Sequence, residues 1–465
     1  MLYEEVRRML ELENKLESTS SQYLNVEQKE AKEAILGSNG NFFVTGKGGT
    51  GKTMLLNSIC NSDPLGTVVM APTGMAALLI GGKTHFSALG INPYNLFEQK
   101  VVSRETRNFF ERKRRILIDE VSMVPSVGMQ AIDIRMREIR NRDVAFGGLQ
   151  VVAFGDLHQL PPVIVKPEDE DYLQKRYGTK FFYGADACRK RPFRTVELKQ
   201  VFRQTDQEYL EIVNSVRDGT LTKEQLDILN SRVVSQAPEG VVQLTARKET
   251  ARIMNEKKLR ELPGREQTYM ADIYGEYPEN LYPTEAKLVL KVGAFVMMVQ
   301  NDGDKRWVNG TLGYIKELKE EEIVVSIKDK NSGQEKIYSV NRTSWPYYEN
   351  VYSDAACKTN NLPDAVFKQF PIKLAYAITT HKAQGQTLDN VLLDYGSGAF
   401  CEGLLYVGLT RVRCLADLYL KKALTLEDVR ISQEIFQLEN DLSGYGMAPR
   451  NRPGLLNWRK MAKVV

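Results

Sequence analysis

The stretch "NFFVTGKGGTGKT", residues 41–53, constrains the fold of this chain more than any other part of the sequence. An apolar strand candidate runs into a glycine-rich loop, and the apolar helical segment "MLLNSIC" follows the loop. The G-x-x-x-x-G-K-T spacing of a phosphate-binding loop is formed by Gly46, Gly51, Lys52 and Thr53. Glycines let backbone N–H groups curl around phosphate oxygens, and the helix N-terminus adds a favourable dipole. The stretch therefore predicts a nucleotide site between a strand and a helix of an α/β domain.

An acidic pair at the end of a second strand candidate extends this prediction. The segment "RRILIDE" ends in Asp119 and Glu120. Next to a phosphate-binding loop, Lys52 is expected to reach the β- and γ-phosphates, and the Thr53 hydroxyl to bind Mg²⁺. Asp119 is expected to hold the hydration shell of that ion, and Glu120 to act as general base on the attacking water. We therefore expect ATP and Mg²⁺ as cofactors.

Apolar strand candidates alternate with helical segments in two parts of the chain. The first series is "NFFVTG", "GTVVMAP", "RRILIDE" and "GLQVVAFGD", and the second is "GVVQLTA", "NVLLDYG" and "DLYLKKA". Such strands indicate parallel sheets covered by helices on both faces. A chain of 465 residues is too long for one core, in agreement with two α/β domains. Between the two series, about 295–370 contains short strands that favour a small inserted β-barrel.

Composition excludes several classes of protein. The net charge of +4 is small, so a surface that binds nucleic acid must be local. The longest apolar runs fall short of the ~20 residues of a membrane helix, and the first residues lack the apolar core of a signal peptide. Five cysteines without a CxxC pair are typical of reduced thiols inside a cell, and the three histidines lack metal-ligand spacing. We expect an intracellular protein without a membrane partner.

The remaining motifs resemble those of superfamily 1 DNA helicases, and within them the Pif-type (petite integration frequency) family, which moves 5′→3′. "LNVEQKEA" resembles the Q motif, "APTGMAALLIGGKT" motif Ia, and "FGDLHQLPPV" motif III. "LKQVFRQTDQEYLEIVNSVRDG" resembles motif IV, "LAYAITTHKAQGQTLDNV" motif V, and "LYVGLTRVR" motif VI. "MQAIDIRMREIRNRDVAFGG" is similar to a stretch particular to this family, which favours it over the related RecD type. The resemblance extends from about Leu24 to Leu420.

The resemblance implies two tandem RecA-like P-loop domains with parallel sheets, an inserted SH3-like β-barrel and a wedge insertion. The implied boundaries are 1–20 for an N-terminal helix, 21–198 for the first RecA-like domain with its wedge at about 86–110, 199–298 together with 371–440 for the second, 299–370 for the SH3-like domain, and 441–465 for a C-terminal extension. A monomer in solution is expected. The expected partners are single-stranded DNA and tailed or forked duplex DNA.

The resemblance also implies roles for residues around ATP. Gln28 corresponds to the glutamine that reads the adenine edge, and Gln159 to a residue that senses the γ-phosphate. Arg203 and Arg411 correspond to arginines that stabilise charge on that phosphate, and nucleotide binding is expected to pull the two RecA-like domains together. An arginine is more often a partner in a surface ion pair. The other expected nucleotide-binding residues are Gly46, Gly48, Gly49, Thr50, Gly51, Met54 and Gly385.

The residues expected to bind DNA are Pro72, Thr73, Phe86, His381 and Lys382. Hydroxyls, backbone amides and one cation suit a phosphate backbone that is bound without sequence preference. Thr73 also suits a helix N-cap, and Lys382 also suits a solvated surface. Aromatic residues can stack on bases or wedge a duplex apart, or they can pack in a core. Both alternatives stay open for Phe86, Tyr94, Phe97, Phe109 and Phe110.

Three departures from the family pattern are visible. In "THFSA" the histidine His85 comes one place early, and Phe86 stands in its slot. "AFGG" replaces a more usual Pro-Phe-Gly-Gly. In motif VI, Gly408 and Thr410 stand where alanine and serine are common, and Thr410 keeps the hydroxyl. None of these departures affects the groups expected to act on ATP.

The combined expectation is an ATP-dependent helicase that moves 5′→3′ on single-stranded DNA and unwinds duplexes. Two alternatives remain open at this stage. One is a DNA-independent ATPase switch that remodels protein partners, which the effect of DNA on the ATPase rate would distinguish. The other is a helicase that prefers RNA, since a backbone track distinguishes DNA from RNA mainly through 2′-OH contacts.

Overall fold

The computed structural model describes residues 24–92, 95–99, 102–164, 166–204, 206–236, 238–279, 282–304, 306–307, 309–328, 334–347, 365–396, 398–435 and 454–455. The chain divides into two compact units. Unit 1 contains the described residues up to Phe202 and from Ile431 onward, and unit 2 contains those from Arg203 to Arg430. In the described part of the chain, the helices are too short or too polar to cross a membrane.

Unit 1 is built on a parallel sheet. The strands of unit 1 are β1 (Asn41–Gly46), β2 (Thr67–Ala71), β3 (Lys83–Thr84), β4 (Ile91–Asn92), β5 (Asn95–Gln99), β6 (Arg115–Ile118), β7 (Gln150–Phe154) and β8 (Phe193–Leu198). The sheet order is β8–β1–β7–β6–β2–β3 with every neighbour parallel, and Gly454–Leu455 adds an antiparallel edge beside β8. β4 and β5 form a separate hairpin. The four apolar strands predicted for the first series therefore lie in one parallel sheet.

Helices cover this sheet, as continuous burial of its strands requires. They are α1 (Val26–Leu36), α2 (Lys52–Ser62), α3 (Gly74–Leu79), α4 (His85–Leu89), α5 (Arg104–Glu111), α6 (Ser126–Arg140), α7 (Pro167–Tyr177) and α8 (Asp186–Lys190). The core of unit 1 consists of two buried apolar clusters. One contains Leu56 of α2 with Val44 of β1, and the other contains Met136 of α6 with Ile118 of β6.

Unit 2 contains a second parallel sheet. The strands of unit 2 are β9 (Val242–Thr245), β10 (Gln267–Met270), β11 (Asp272–Tyr274), β12 (Lys287–Leu290), β13 (Phe295–Met298), β14 (Leu312–Leu318), β15 (Glu322–Lys328), β16 (Glu335–Asn341), β17 (Thr343–Tyr347), β18 (Ala365–Gln369), β19 (Ile372–Leu374), β20 (Ala377–Thr379), β21 (Val391–Asp394) and β22 (Leu418–Leu420). Its helices are α9 (Gln207–Asp218), α10 (Lys223–Asn230), α11 (Lys248–Glu261), α12 (Thr380–Ala383) and α13 (Leu404–Leu409). The order β20–β9–β21–β22 is parallel throughout. The three strands predicted for the second series are β9, β21 and β22.

The rest of unit 2 is antiparallel. Five strands form a sheet in the order β16–β15–β14–β13–β19, and shorter sheets contain β11–β18–β17 and β10–β12. The five-stranded sheet begins with Phe295–Met298 and ends with Ile372–Leu374, so it extends a few residues beyond 299–370 on both sides. Side chains alternate between the two faces along β14 and β15, and Ile315, Ile323 and Val325 are buried in one apolar core.

Several sequence-based predictions lie outside the described residues. They are the N-terminal helix at 1–20, the aromatic Tyr94, and the extension at 441–465 apart from Gly454–Leu455. The side chain of Phe97 is likewise not described.

Candidate functional site

The glycine-rich loop of unit 1 joins the end of β1 to the start of α2. Gly51 has a left-handed backbone with φ of 79°, and a Cβ there would meet the Gln28 amide at 2.5 Å. Such a backbone favours glycine, and it lets α2 begin at Lys52. The Lys52 ammonium donates to the carbonyl oxygens of Gly46 at 2.6 Å and Lys47 at 3.1 Å. The lysine therefore lies over the loop that is expected to hold phosphates.

Gln28 lies behind this loop and is fully buried. Its Nε2 donates to the carbonyls of Thr50 at 3.2 Å and Gly51 at 3.4 Å, while its Oε1 accepts from Asn25 N at 3.1 Å. The amide that the sequence predicts for adenine thus also supports the loop and closes the N-terminal cap of α1. In the first turn of α2, the hydroxyl-bearing Thr53 is exposed and Met54 is partly buried.

The acidic pair follows β6 at the same edge of the sheet. Glu120 has a left-handed backbone with φ of 48°, and its N–H donates to Asp119 Oδ1 at 3.0 Å. Burial and then the charge of Glu120 raise the pKa of Asp119 to about 7, against the opposing charge of Lys52. A divalent cation would favour the ionised form of this carboxylate. Asp119 with the Thr53 hydroxyl is therefore a donor set that fits Mg²⁺, which usually takes one or two protein oxygens and keeps several waters.

Three loops of unit 1 converge because their strands are parallel neighbours. β1 pairs with β7 at Val44 and Phe154, and β7 pairs with β6 at Ala153 and Ile118. The carboxyl ends of these strands lie side by side, and parallel α/β sheets bind ligands at this edge. The edge bears the glycine-rich loop, the acidic pair and the segment 155–160.

The segment after β7 is buried. Asp156 is fully buried, and Gln159 is 5% exposed. Asp156 Oδ1 accepts from His158 N at 3.1 Å, and its carbonyl accepts from Gln159 N at 3.0 Å. Asp156 therefore shapes the turn that holds Gln159 at the strand end.

The predicted DNA contacts of unit 1 follow β2, which is the next strand after β6. Pro72 and Thr73 are partly buried, and Thr73 Oγ1 accepts from Ala76 N at 3.2 Å. This bond is the N-cap expected for α3. Thr73 can cap the helix and still contact DNA, because the residue is only partly buried. The loop lies at the same carboxyl edge as the glycine-rich loop.

The early histidine and the aromatic residues near it differ in how deeply they are buried. His85 is 2% exposed, with Nδ1 3.2 Å from Ala71 O, and burial lowers its pKa to about 4. Phe86 is partly buried, packs against the core, and its ring centroid lies 4.0 Å from that of His85. Phe110 is fully buried and Phe109 partly buried. The core alternative therefore applies to Phe110.

In unit 2, two arginines converge on the segment after α12. Arg203 donates to Thr410 O at 3.1 Å and to Gly385 O at 3.2 Å. Arg411 is 1% exposed, and its Nη1 donates at 3.0 Å to the carbonyls of both Ala383 and Gln386. Its Nε and Nη2 donate to Val407 O at 2.8 Å and Thr410 Oγ1 at 2.7 Å. In this conformation the Arg411 guanidinium therefore binds motif V.

The short helix α12 carries the other predicted DNA contacts. His381 is partly buried, and burial and then the charge of Lys248 lower its pKa. Lys382 is exposed. A further cation, Lys373 on β19, was not predicted: burial and then the charge of Lys382 lower its pKa to about 8. The sequence signal that could have identified Lys373 is a lysine among the apolar residues of "FPIKLAY".

Comparison with known proteins identifies the family. The family model for PIF1-like helicase matches residues 23–227. The ATP-dependent DNA helicase Pif1 of Bdellovibrio bacteriovorus is 32% identical over 411 residues, which cover 85% of this chain and 87% of that protein. The chain belongs to the PIF1-like helicase family. The human ATP-dependent DNA helicase PIF1 is 31% identical over 416 residues, covering 87% of this helicase and 61% of the human protein.

Solved structures agree with this membership. Pif1 from a Bacteroides species in complex with ADP-AlF4 is 30% identical and has a TM-score of 0.77, covering 91% of this helicase and 98% of that chain. Bacteroides Pif1 bound to single-stranded DNA is 31% identical, with a TM-score of 0.68 and the same coverage. The parallel-sheet cores of units 1 and 2 fit the RecA-like domains that the sequence predicted.

Proposed function

We propose that this helicase uses ATP hydrolysis to move 5′→3′ along single-stranded DNA and to unwind tailed or forked duplexes. One observation carries the proposal. The glycine-rich loop, Asp119 with Glu120, Gln159 and the Thr73 loop all lie at one carboxyl edge of the unit 1 sheet. A change at the nucleotide can therefore reach a DNA-contacting loop across adjacent strands of a single rigid sheet.

In this proposal, Lys52 binds the β- and γ-phosphates and Glu120 polarises the attacking water. Mg²⁺ neutralises phosphate charge and is held by Thr53 and, through water, by Asp119. Gln159 senses the γ-phosphate, and Arg203 and Arg411 stabilise its developing charge. Because Arg411 donates to carbonyls of Val407, Ala383 and Gln386 within unit 2, it must exchange carbonyl partners for phosphate during the cycle.

Pro72, Thr73, Phe86, His381 and Lys382 are proposed to contact the DNA backbone and bases. We further propose that the five-stranded antiparallel sheet of unit 2 belongs to an SH3-like domain at 299–370 and that the region of about 86–110 forms a wedge. We also propose that the helicase is a monomer in solution. The support for the SH3-like domain is its run of short antiparallel strands with one shared apolar core.

Partial duplexes with one single-stranded tail test the direction of movement. ATP-dependent unwinding of a 5′-tailed duplex and little unwinding of a 3′-tailed duplex are expected. Unwinding of the 3′-tailed substrate alone would overturn the polarity. Partial duplexes with RNA tails test the alternative of a helicase that prefers RNA. The rate of ATP hydrolysis with and without DNA tests the alternative of a DNA-independent ATPase switch.

A further inference from the structure

The short helix α12 is attached at both of its ends. At its first residue, Thr380 Oγ1 has two acceptors for its one proton, the nearer being the hydroxyl of Tyr395 at 3.2 Å and the other Thr245 O at 3.4 Å. At its last residue, the carbonyl of Ala383 accepts from Arg411 Nη1 at 3.0 Å. The two proposed DNA contacts of unit 2 lie between these attachments. The orientation of the helix therefore depends on what holds Tyr395 and Arg411.

The Tyr395 hydroxyl continues the first attachment into motif VI. It donates to Leu404 O at 3.1 Å, and Leu404 is the first residue of α13. Tyr395 is 9% exposed, so this hydroxyl lies in the interior of unit 2. α13 leads directly to Thr410 and Arg411. One buried hydroxyl thus connects the start of the DNA-contacting helix with the start of the helix before the arginine.

A departure from the family pattern provides the space for this hydroxyl. A Cβ at Gly408 would overlap Tyr395 Oη, while it would lie 3.4 Å from Tyr395 Cζ and 3.1 Å from Leu393 Cδ2. Gly408 stands where the family commonly has alanine. The overlap is therefore with the hydroxyl more than with the ring, and Tyr395 and Gly408 form a matched pair.

We propose that Tyr395 is a positioning residue that couples DNA contact at α12 to ATP hydrolysis through the segment bearing Arg411. This inference rests on the proposed function, because it needs α12 to contact DNA and Arg411 to act on phosphate. When Arg411 leaves Ala383 for phosphate, the hydrogen bonds of the Tyr395 hydroxyl still hold the Thr380 end of α12 beside the start of α13. DNA held by α12 then favours the arrangement in which Arg411 is released.

The test is the ratio of ATPase kcat with saturating oligothymidylate to kcat without it. Tyr395→Phe removes one oxygen and retains the ring, and it is expected to lower this ratio about fivefold, as residues between coupled sites do. Tyr269→Phe is the matched control, because it removes another tyrosine hydroxyl, 2.8 Å from Lys319 O, and is expected to keep the ratio. An unchanged ratio in Tyr395→Phe beside a stimulated wild type overturns the coupling role.

A second pair of variants separates coupling from packing. Gly408→Ala is expected to lower the urea midpoint, and the double variant Tyr395→Phe with Gly408→Ala to recover most of it, because the overlapping oxygen is gone. The stimulation ratio of the double variant is expected to stay low. Recovery of both quantities would mean that packing alone matters and would overturn the proposal. A wild-type helicase that DNA does not stimulate would instead overturn the proposed function itself, and the coupling with it.

Discussion

The two predicted halves of the ATP machinery are held in different ways. In unit 1, the reactive groups sit on loops whose partners are neighbours in sequence, such as Lys52 on Gly46 and Glu120 on Asp119. In unit 2, Arg203 donates to Thr410, a residue 207 positions away, and Arg411 donates to Ala383, 28 positions away. The first half depends on local backbone geometry, whereas the second depends on the packing of distant segments. Substitutions of the proposed catalytic groups should therefore affect mainly chemistry in unit 1 and both stability and chemistry in unit 2.

The largest expected effect is loss of chemistry without loss of fold. Glu120→Gln keeps the size of the side chain at its left-handed position and removes the base, so ATP turnover should fall at least about 100-fold while a fluorescent ATP analogue still binds. Single-turnover hydrolysis measures it. Glu111→Gln, at an exposed acid that ends α5, is the control and should turn over ATP normally. Turnover near the wild-type rate in Glu120→Gln would remove Glu120 from the mechanism.

The comparison is sharpest for the two arginines. Arg411→Ala removes the bonds to Val407, Ala383, Gln386 and Thr410 from a side chain that is 1% exposed. It should lower the free energy of unfolding of unit 2 by about 3 kcal/mol and abolish turnover. Arg203→Ala removes the bonds to Thr410 O and Gly385 O from a side chain that is only partly buried, and should cost less than about 1 kcal/mol with a similar loss of turnover. Urea denaturation and ATPase assays measure both. An equal loss of stability in the two variants would contradict the expectation that the buried bonds of Arg411 stabilise unit 2 more than those of Arg203.

A third test concerns local backbone geometry far from the chemistry. Asp133 is fully buried and accepts from Phe146 N at 2.6 Å, which holds the "AFGG" turn against α6. Gly147 has φ of 58°, and a Cβ there would lie 2.6 Å from Met136 O, so Gly147→Ala should lower the free energy of unfolding by about 2 kcal/mol.

Gly148→Ala is the control for that turn. Gly148 has φ of 83°, but a Cβ there would meet Val144 Cγ2 at 3.6 Å, an ordinary contact. Its cost should be about 1 kcal/mol from the backbone alone. Thermal or urea unfolding measures both variants, and an equal cost would show that the Met136 carbonyl can move aside.

The smallest expected effect tests the DNA track. Lys382 is exposed, so Lys382→Ala should weaken single-stranded DNA binding a few-fold and lower the slope of log affinity against log salt by about one. Fluorescence anisotropy at several salt concentrations measures it. Lys257→Ala, on the exposed face of α11 beside Glu261, is the matched control and should leave the slope unchanged. An unchanged slope in both would place Lys382 outside the track.

Local sequence was sufficient for the strands and for the phosphate loop. Periodicity identified both parallel sheets and the short antiparallel strands, because buried parallel strands are continuous apolar runs. The glycine spacing located the loop, since its conformation needs left-handed backbone at Gly51. The apolar runs before Asp119 and Gln159 placed these two residues after strands, and parallel pairing brings the ends of those strands together.

The residues proposed to act on ATP in this PIF1-like helicase come from the sequence alone, because their chemistry and spacing are encoded within short stretches. Tertiary structure decided how those residues are held. It buried His85 and packed Phe86 against the core, bonded Arg411 to two carbonyls of motif V, and placed the Tyr395 hydroxyl in the space that Gly408 leaves. These contacts join segments far apart in the chain, and their geometry depends on packing that no single stretch of sequence contains.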